Sequence, residues 1–450
     1  MDIARANIDA LNATLTVKVG KSDYESKVEA TLRDYRRKAQ IPGFRPGMVP
    51  MGVIKKMYQK STIVDEVYKQ VATALDDYIK NNRLHILGEP LPNEAAGTVD
   101  FDALSEFEIV YDIALAPEVN LKIDKSIHIP YYTAAVTDDE VQQRIDSYRR
   151  YYGKTVSSEK IVEDALVRVD LTQNGETKHS VNSGLLSLKV MPAANRQVLL
   201  GLAAGDTLKL NVRELLTNDA DCAAFLNLKK EQLDAIDPIF TLTVKDITHV
   251  QPAEVNQALF DEIYGKDAVT SEEVFLEKIK AEIRHEIAQK SEQRFAADIR
   301  SMLMKSFTAE LPEPFLKRWI LMSSKHEKTP AAKVTPEEVE KDFPSFVERL
   351  RWQLIEQSFM EKGLVEINEN DLMNAAKETL RRRLTVYGML NMNDERLAEF
   401  AYTLLNRPED RDLIIKYAVE HQTIEHVRSA VTLEQKEVTH EELKTLAAAS

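Results

Sequence analysis

The chain is 450 residues long with a formal net charge of −14 and an isoelectric point near 5.3, so the molecule as a whole repels nucleic acid and any RNA contact has to be local. Its 44% hydrophobic content suffices for cores in the roughly two to four domains this length suggests. Fourteen glycines against 29% charged residues suit long solvated helices better than a loop-rich enzyme.

The first segment reads as α+β. Residues 11–19 alternate apolar and polar side chains like a half-buried strand. The spacing predicts a helix from about Lys21, with Tyr24, Val28, Leu32 and Tyr35 on one face, ended by Pro42 and Gly43. Pro50 is placed to open a second helix over 51–59. A third is predicted over 63–82, then a return strand over 107–115. Residues 118–132 read as an extended strap without turn signals. Thr137 followed by Asp138, Asp139 and Glu140 caps a short helix ending near Tyr152. Between 165 and 250 the pattern turns to strands, at 166–172, 185–190, 207–212 and 240–250.

Beyond Pro252 nearly everything is helical. Thr270-Ser271-Glu272-Glu273 is a capping box. It opens a helix with Leu276, Ile279, Ile283, Ile287, Phe295, Ile299, Leu303 and Phe307 in one apolar stripe, interrupted at Ser291. Such a helix would be about 55 Å long. Further helices are predicted over 314–328, 336–362, 368–387, 394–405 and 411–431.

The single cysteine, Cys222, excludes an intramolecular disulfide and suits a reducing compartment. Asp219 and Asp221 beside it would raise the thiol pKa, so it reads as inert. The first residues lack the order of a secretory signal, and no stretch approaches the roughly 18 apolar residues of a membrane span. A cytoplasmic protein with no membrane partner is therefore expected. There is no glycine-rich phosphate loop, and the nine histidines form no cluster; His421 and His426, five apart, lie on different helix faces. Catalytic residues, cofactors and metals are accordingly predicted to be none.

One segment runs against the overall charge. Between Thr31 and Lys60 lie eight basic residues (Arg33, Arg36, Arg37, Lys38, Arg45, Lys55, Lys56, Lys60) and one acid, Asp34. In their midst, residues 41–50 place Phe44 and Arg45 at the tip of a turn shaped by proline and glycine. An exposed Phe beside Arg makes more sense as a contact than as an ordinary solvated face. Arg supplies a fork for an RNA phosphate or a protein carboxylate, and Phe fills a small apolar pocket.

Gly43-Phe44-Arg45-x-Gly47-x-x-Pro50, between two helices, resembles the ribosome-binding motif of the trigger factor family, chaperones of the bacterial peptide exit tunnel. The resemblance extends along the chain, through 107–121 and from Asn406-Arg407-Pro408-Glu409 to Val438-Thr439. It implies docking on an exit-tunnel protein and adjacent rRNA through Gly43, Phe44, Arg45, Pro46 and Gly47, supported by Arg36, Arg37 and Lys38. Pro46 departs from the family, which commonly has Lys there, and removes a cation from the motif.

The resemblance also implies an elongated α+β multidomain chain. Its parts are a ribosome-binding domain over 1–117, a strap and linker helix over 118–152, an FKBP-type prolyl isomerase-like domain over 153–250, and a helical substrate cradle with arm-like helices over 251–450. Such an isomerase needs an aromatic cup that desolvates the X-Pro imide. Residues 154–227 offer one aromatic, Phe225, and Glu176-Thr177-Lys178-His179-Ser180 stand where others are expected. A degenerate isomerase domain is predicted; an active peptidyl-prolyl isomerase is the alternative.

Residues 251–450 carry 28 basic and 37 acidic residues, which argues against extended RNA binding there. Arg381-Arg382-Arg383, with Glu378 four residues before Arg382, reads as a solvated helix face. The same region holds Met302, Met304, Met322, Met360, Met373, Met389 and Met392 with Phe307, Phe315, Trp319, Phe343, Phe346, Trp352 and Phe359. Most read as core. Those left exposed would suit promiscuous contact with unfolded chains. The functional expectation is an ATP-independent chaperone for nascent polypeptides, and the resemblance implies a homodimer off the ribosome.

Overall fold

The computed structural model describes residues 1–45, 47–97, 99–101, 106–173, 179–216, 218–326, 334–386 and 393–449. The alternation at 11–19 becomes the centre of an antiparallel sheet. β1 (Asp2–Asn7) pairs with β2 (Asn12–Val19), which buries Ala13, Leu15, Val17 and Val19 on one face. α1 (Lys21–Lys38) and α2 (Met51–Asn81) complete that core with Tyr24, Val28, Leu32, Ile54, Val67 and Val71. β3 (Leu91–Pro92) and β4 (Phe107–Ala114) finish the sheet in the order β1-β2-β4-β3.

The two helices predicted over 51–59 and 63–82 are one. No glycine or proline interrupts Lys60-Ser61-Thr62, and Thr62 is buried with its hydroxyl donating to the Tyr58 carbonyl at 2.7 Å. The helix therefore satisfies its own polar side chains and runs through.

The strap contains a turn at Asp124, whose carboxylate accepts from Ser126 N at 2.9 Å, before β5 (His128–Thr133). α3 (Asp138–Tyr151) begins as predicted, with Thr137 and Glu140 in a reciprocal capping box. The next sheet has the order β6-β10-β7-β8, with β9 also paired to β10. Its members are β6 (Lys154–Ser157), β7 (Leu166–Gln173), β8 (Ser180–Ser187), β9 (Thr207–Asn211) and β10 (Ile239–Gln251). β8 stops at Ser187 and gives way to a 3-10 turn over Leu188–Val190, so the strand predicted over 185–190 is shifted. Three short helices, α4 (Ala193–Arg196), α5 (Val212–Leu215) and α6 (Asp219–Phe225), accompany the sheet. Val167, Val169, Leu171, Phe240, Leu242 and Leu226 are buried in its core. Cys222 is buried there too. Burial is the main cause that raises its thiol pKa, Asp219 adds to it and Arg213 opposes it; the neighbouring acids are secondary.

Helices then follow: α7 (Gln257–Tyr264), α8 (Glu272–Ser306), α9 (Glu313–His326), α10 (Pro336–Glu361), α11 (Glu369–Val386), α12 (Asp394–Leu405) and α13 (Pro408–Ala430). β11 (Thr432–Glu437) and α14 (His440–Ala448) close the chain. Ser271 caps α8, accepting from Val274 N at 3.3 Å. Ser291 does not break its stripe: it is 2% exposed, and its hydroxyl donates to the Ile287 carbonyl at 3.0 Å. A serine that hydrogen-bonds its own helix can occupy a buried position.

Two compact units result, Met1–Pro130 with Phe295–Glu434, and Tyr131–Arg294 with Gln435–Ser450. Within the first, the N-terminal sheet domain meets α9 and α10. Arg318 pairs with Asp112 on β4, and the Trp319 ring lies 2.8 Å from where a Cβ on Gly88 would stand. His85 Nδ1 is 2.9 Å from Glu361, and Lys362 Nζ donates to the Val119 carbonyl at 2.7 Å. Within the second, Leu443 of α14 is fully buried among Val141 and Ile145 of α3 and Phe275, Ile279 and Ile283 of α8.

Candidate functional site

α1 ends at Lys38, where Ala39 turns extended, and the following loop is pinned at both ends. Ile41 is partly buried before the tip and Val49 is fully buried after it. Phe44 N donates to the Ile41 carbonyl at 3.1 Å and Met48 N to the Arg45 carbonyl at 2.9 Å, making two successive turns. Gly43 at φ +92° and Gly47 at φ +78° occupy the left-handed region those turns require. Arg36 closes the loop from behind, its Nε donating to the Val49 carbonyl at 2.9 Å. Phe44 stands 41% exposed and Arg45 is exposed beside it. Pro46 lies outside the described residues.

The flanking cations divide into two kinds. Arg36 is half-buried and serves the loop's backbone. Arg37 and Lys38 both reach Asp34, Lys38 at 3.2 Å, yet their side chains remain 76% and 79% exposed. Lys38 first, then Arg37, holds the Asp34 carboxyl below its usual range. Arg33 pairs with Glu29 at 3.0 Å, and Lys55 and Lys56 are exposed at the start of α2. A groove of about 440 Å³ between α1 and α2 is lined by Lys21, Lys55, Lys56 and Lys60 together with Glu25 and Glu29, Lys21 pairing with Glu25 at 3.2 Å. An apolar tip with a guanidinium beside it and a cationic collar behind can seat in a small apolar pocket on a polyanionic surface.

Apolar side chains that sequence reasoning did not single out as exposed lie in this loop and in the adjoining helices. Met48 is 68% exposed and Met57 55% exposed, while Tyr35 stacks obliquely on Tyr58 with centroids 5.4 Å apart.

In the sheet of the second unit, Phe225 packs over Gly184, its ring 3.2 Å from where a Cβ would be. Phe240 is fully buried, with the His179 ring edge-on at 6.4 Å. His179 Nε2 lies 2.8 Å from the Leu226 carbonyl, and Gln173 Nε2 donates to the Asp237 carbonyl at 3.1 Å. Residues 176–178, where aromatics are missing from the sequence, lie outside the described residues.

In the helical segment of the first unit, Phe307, Phe315, Phe343, Trp352 and Phe359 are buried, as a core requires. Arg300 lies over the Trp352 ring at 4.6 Å and pairs with Glu420 at 3.0 Å. Burial first, and then the Glu420 charge, pushes the Glu356 carboxyl up to about 7. Met360, Phe400, Tyr402, Leu413 and Tyr417 remain exposed, of which the sequence singled out only Met360. Met389 and Met392 lie outside the described residues. Arg382 Nε pairs with Glu378 at 3.3 Å on an exposed helix face. Among the described residues no helix is long and apolar enough to cross a membrane, and no three His, Cys, Asp or Glu are grouped to hold a metal.

Family models match in chain order. "Bacterial trigger factor protein" matches residues 1–148, "Probable trigger factor, FKBP-like domain" 155–252, and "Probable trigger factor, C-terminal domain" 291–447. The trigger factor of Agrobacterium fabrum is 26% identical over 404 residues, covering 85% of this chain and 79% of its own. That of Rhizobium etli is 24% identical, covering 98% and 89%. That of Bartonella bacilliformis is 25% identical, covering 98% and 92%. A solved structure reported under "Promiscuous Substrate Recognition in Folding and Assembly Activities of the Trigger Factor Chaperone" aligns with a TM-score of 0.49 at 15% identity, over 96% of this chain and all of that one.

Proposed function

The chain belongs to the trigger factor family of chaperones, and on that premise we propose that it docks on the ribosome beside the exit tunnel and shields apolar segments of nascent chains in the cytoplasm. The observation that carries this reading is the tip: Phe44 and Arg45 held outward by two glycine turns and the Arg36–Val49 tie. Phe44 fills an apolar pocket of a tunnel-exit protein, while Arg45, Arg37 and Lys38 meet carboxylates or rRNA phosphates. Exposed side chains such as Phe400 and Tyr402 on α12 and Tyr417 on α13 offer apolar contact to clients.

Release needs no nucleotide, because many weak contacts exchange quickly. We propose further that the FKBP-like domain serves as scaffold or weak binding surface, its Phe225 packed on Gly184 and its Phe240 fully buried. The deciding experiment is co-sedimentation with ribosomes. Replacing Phe44-Arg45-Pro46 by three alanines should abolish it, and persistent binding of that variant would sink the docking proposal.

A further inference from the structure

Met48 is the most exposed methionine among the described residues, at 68%, and it closes the turn that begins at Arg45, directly after the turn that carries Phe44. The next residue, Val49, is fully buried and tied to Arg36, so the chain turns the Met48 side chain away from the core. Met191, by contrast, is 3% exposed, and Met51 packs into the N-terminal core. An exposed thioether at an apolar contact tip is accessible to two-electron oxidants in free protein and covered once the tip is seated.

We propose that Met48 is a modification site, at which hydrogen peroxide converts the thioether to a sulfoxide and thereby weakens docking; this rests on the docking reading above. The sulfur lone pair attacks one peroxide oxygen, the O–O bond breaks as the S–O bond forms, and the second oxygen leaves as water. Sulfur is oxidised by two electrons and peroxide is reduced by two. The sulfoxide is polar, and burying it in an apolar pocket without a partner is unfavourable. Thiol-dependent reductases that act on methionine sulfoxide would restore the tip.

The test uses the full chain, treated or untreated with peroxide, in ribosome co-sedimentation, with peptide mapping of added oxygen. Untreated protein should bind. Treated protein should carry oxygen on Met48 and bind on the order of tenfold more weakly with an unchanged thermal melt. Met48→Leu, which stays apolar and cannot be oxidised, should bind equally before and after treatment. Met48→Gln should bind weakly without any peroxide. Met57→Leu should leave the sensitivity in place, although Met57 is 55% exposed. The proposal is overturned if Met48 takes up no oxygen, if oxidised protein binds as well as untreated, or if Met57→Leu confers the resistance. If untreated protein fails to bind, the docking reading falls together with it.

Discussion

Arg36 Nε reaches 2.9 Å to the Val49 carbonyl, so the exit of the tip loop is fastened to the helix that leads into it. Arg36→Ala should loosen the loop as well as remove a charge. A stability loss of about 1–2 kcal/mol in urea denaturation is expected, with weaker ribosome co-sedimentation. Arg37→Ala should weaken docking and leave the denaturation midpoint in place, because that side chain is 76% exposed. Equal stability losses for the two would contradict this division of labour.

Gly43 is predicted to be needed for backbone shape. At φ +92° an alanine is strained although no neighbouring atom stands in its way, and the cost is about 1–2 kcal/mol. Gly43→Ala should reduce docking, whereas Gly52→Ala, in open space on α2, should not. Co-sedimentation of the two variants side by side reads the difference.

Gly88→Ala probes the contact between the sheet domain and α9. Its Cβ would lie 2.8 Å from the Trp319 ring, and the glycine has φ +77°. A loss of about 2–3 kcal/mol is expected on denaturation. Retained Trp fluorescence and an unchanged midpoint would show that the contact does not form in solution.

Glu356 sets a pH dependence. Its carboxyl is raised from 4.5 to about 7 by burial and by Glu420, so the folded state holds a proton that the unfolded state gives up above 4.5. That stabilising contribution is complete below about 4.5 and lost as pH rises through about 7. Glu356→Gln should therefore be more stable than the parent at pH 8, by about 1–3 kcal/mol, and nearly equal to it at pH 4. Denaturation midpoints at the two pH values check the sign.

The FKBP-like domain is predicted to be a poor isomerase. With the protein added to a short proline peptide, relaxation should stay near the uncatalysed range of roughly 10–100 s at 25 °C. Acceleration comparable with an active isomerase would overturn the degenerate reading and favour the enzymatic alternative.

The sequence made the tip legible because Gly43, Phe44, Arg45 and Gly47 are local in the chain and each has a conformational or chemical reason. Helix starts were equally legible at Thr137 and Ser271, where caps satisfy exposed N–H groups. What stayed hidden depends on partners far along the chain. Ser291 looked like a gap in a stripe until its hydroxyl was seen bonded inside its own helix. Arg36 looked like one more surface cation, since nothing local shows that Val49 would be its acceptor. The contact of Arg318 with Asp112 joins residues 206 apart and has no signature in either neighbourhood.

The burial of Leu443 beside Val141 and Phe275 has a consequence for how the protein itself is made. His440 Nδ1 meets Glu140 at 2.6 Å across 300 residues of chain, and each compact unit draws on two separated stretches of sequence. While a ribosome has made this chain only as far as α8, the cluster around Phe275 lacks Leu443, which lies far downstream in the sequence. Closing such distant contacts is slow and comes late. A protein proposed to guard the unfinished chains of others must thus wait for a distant stretch of its own before that cluster can close.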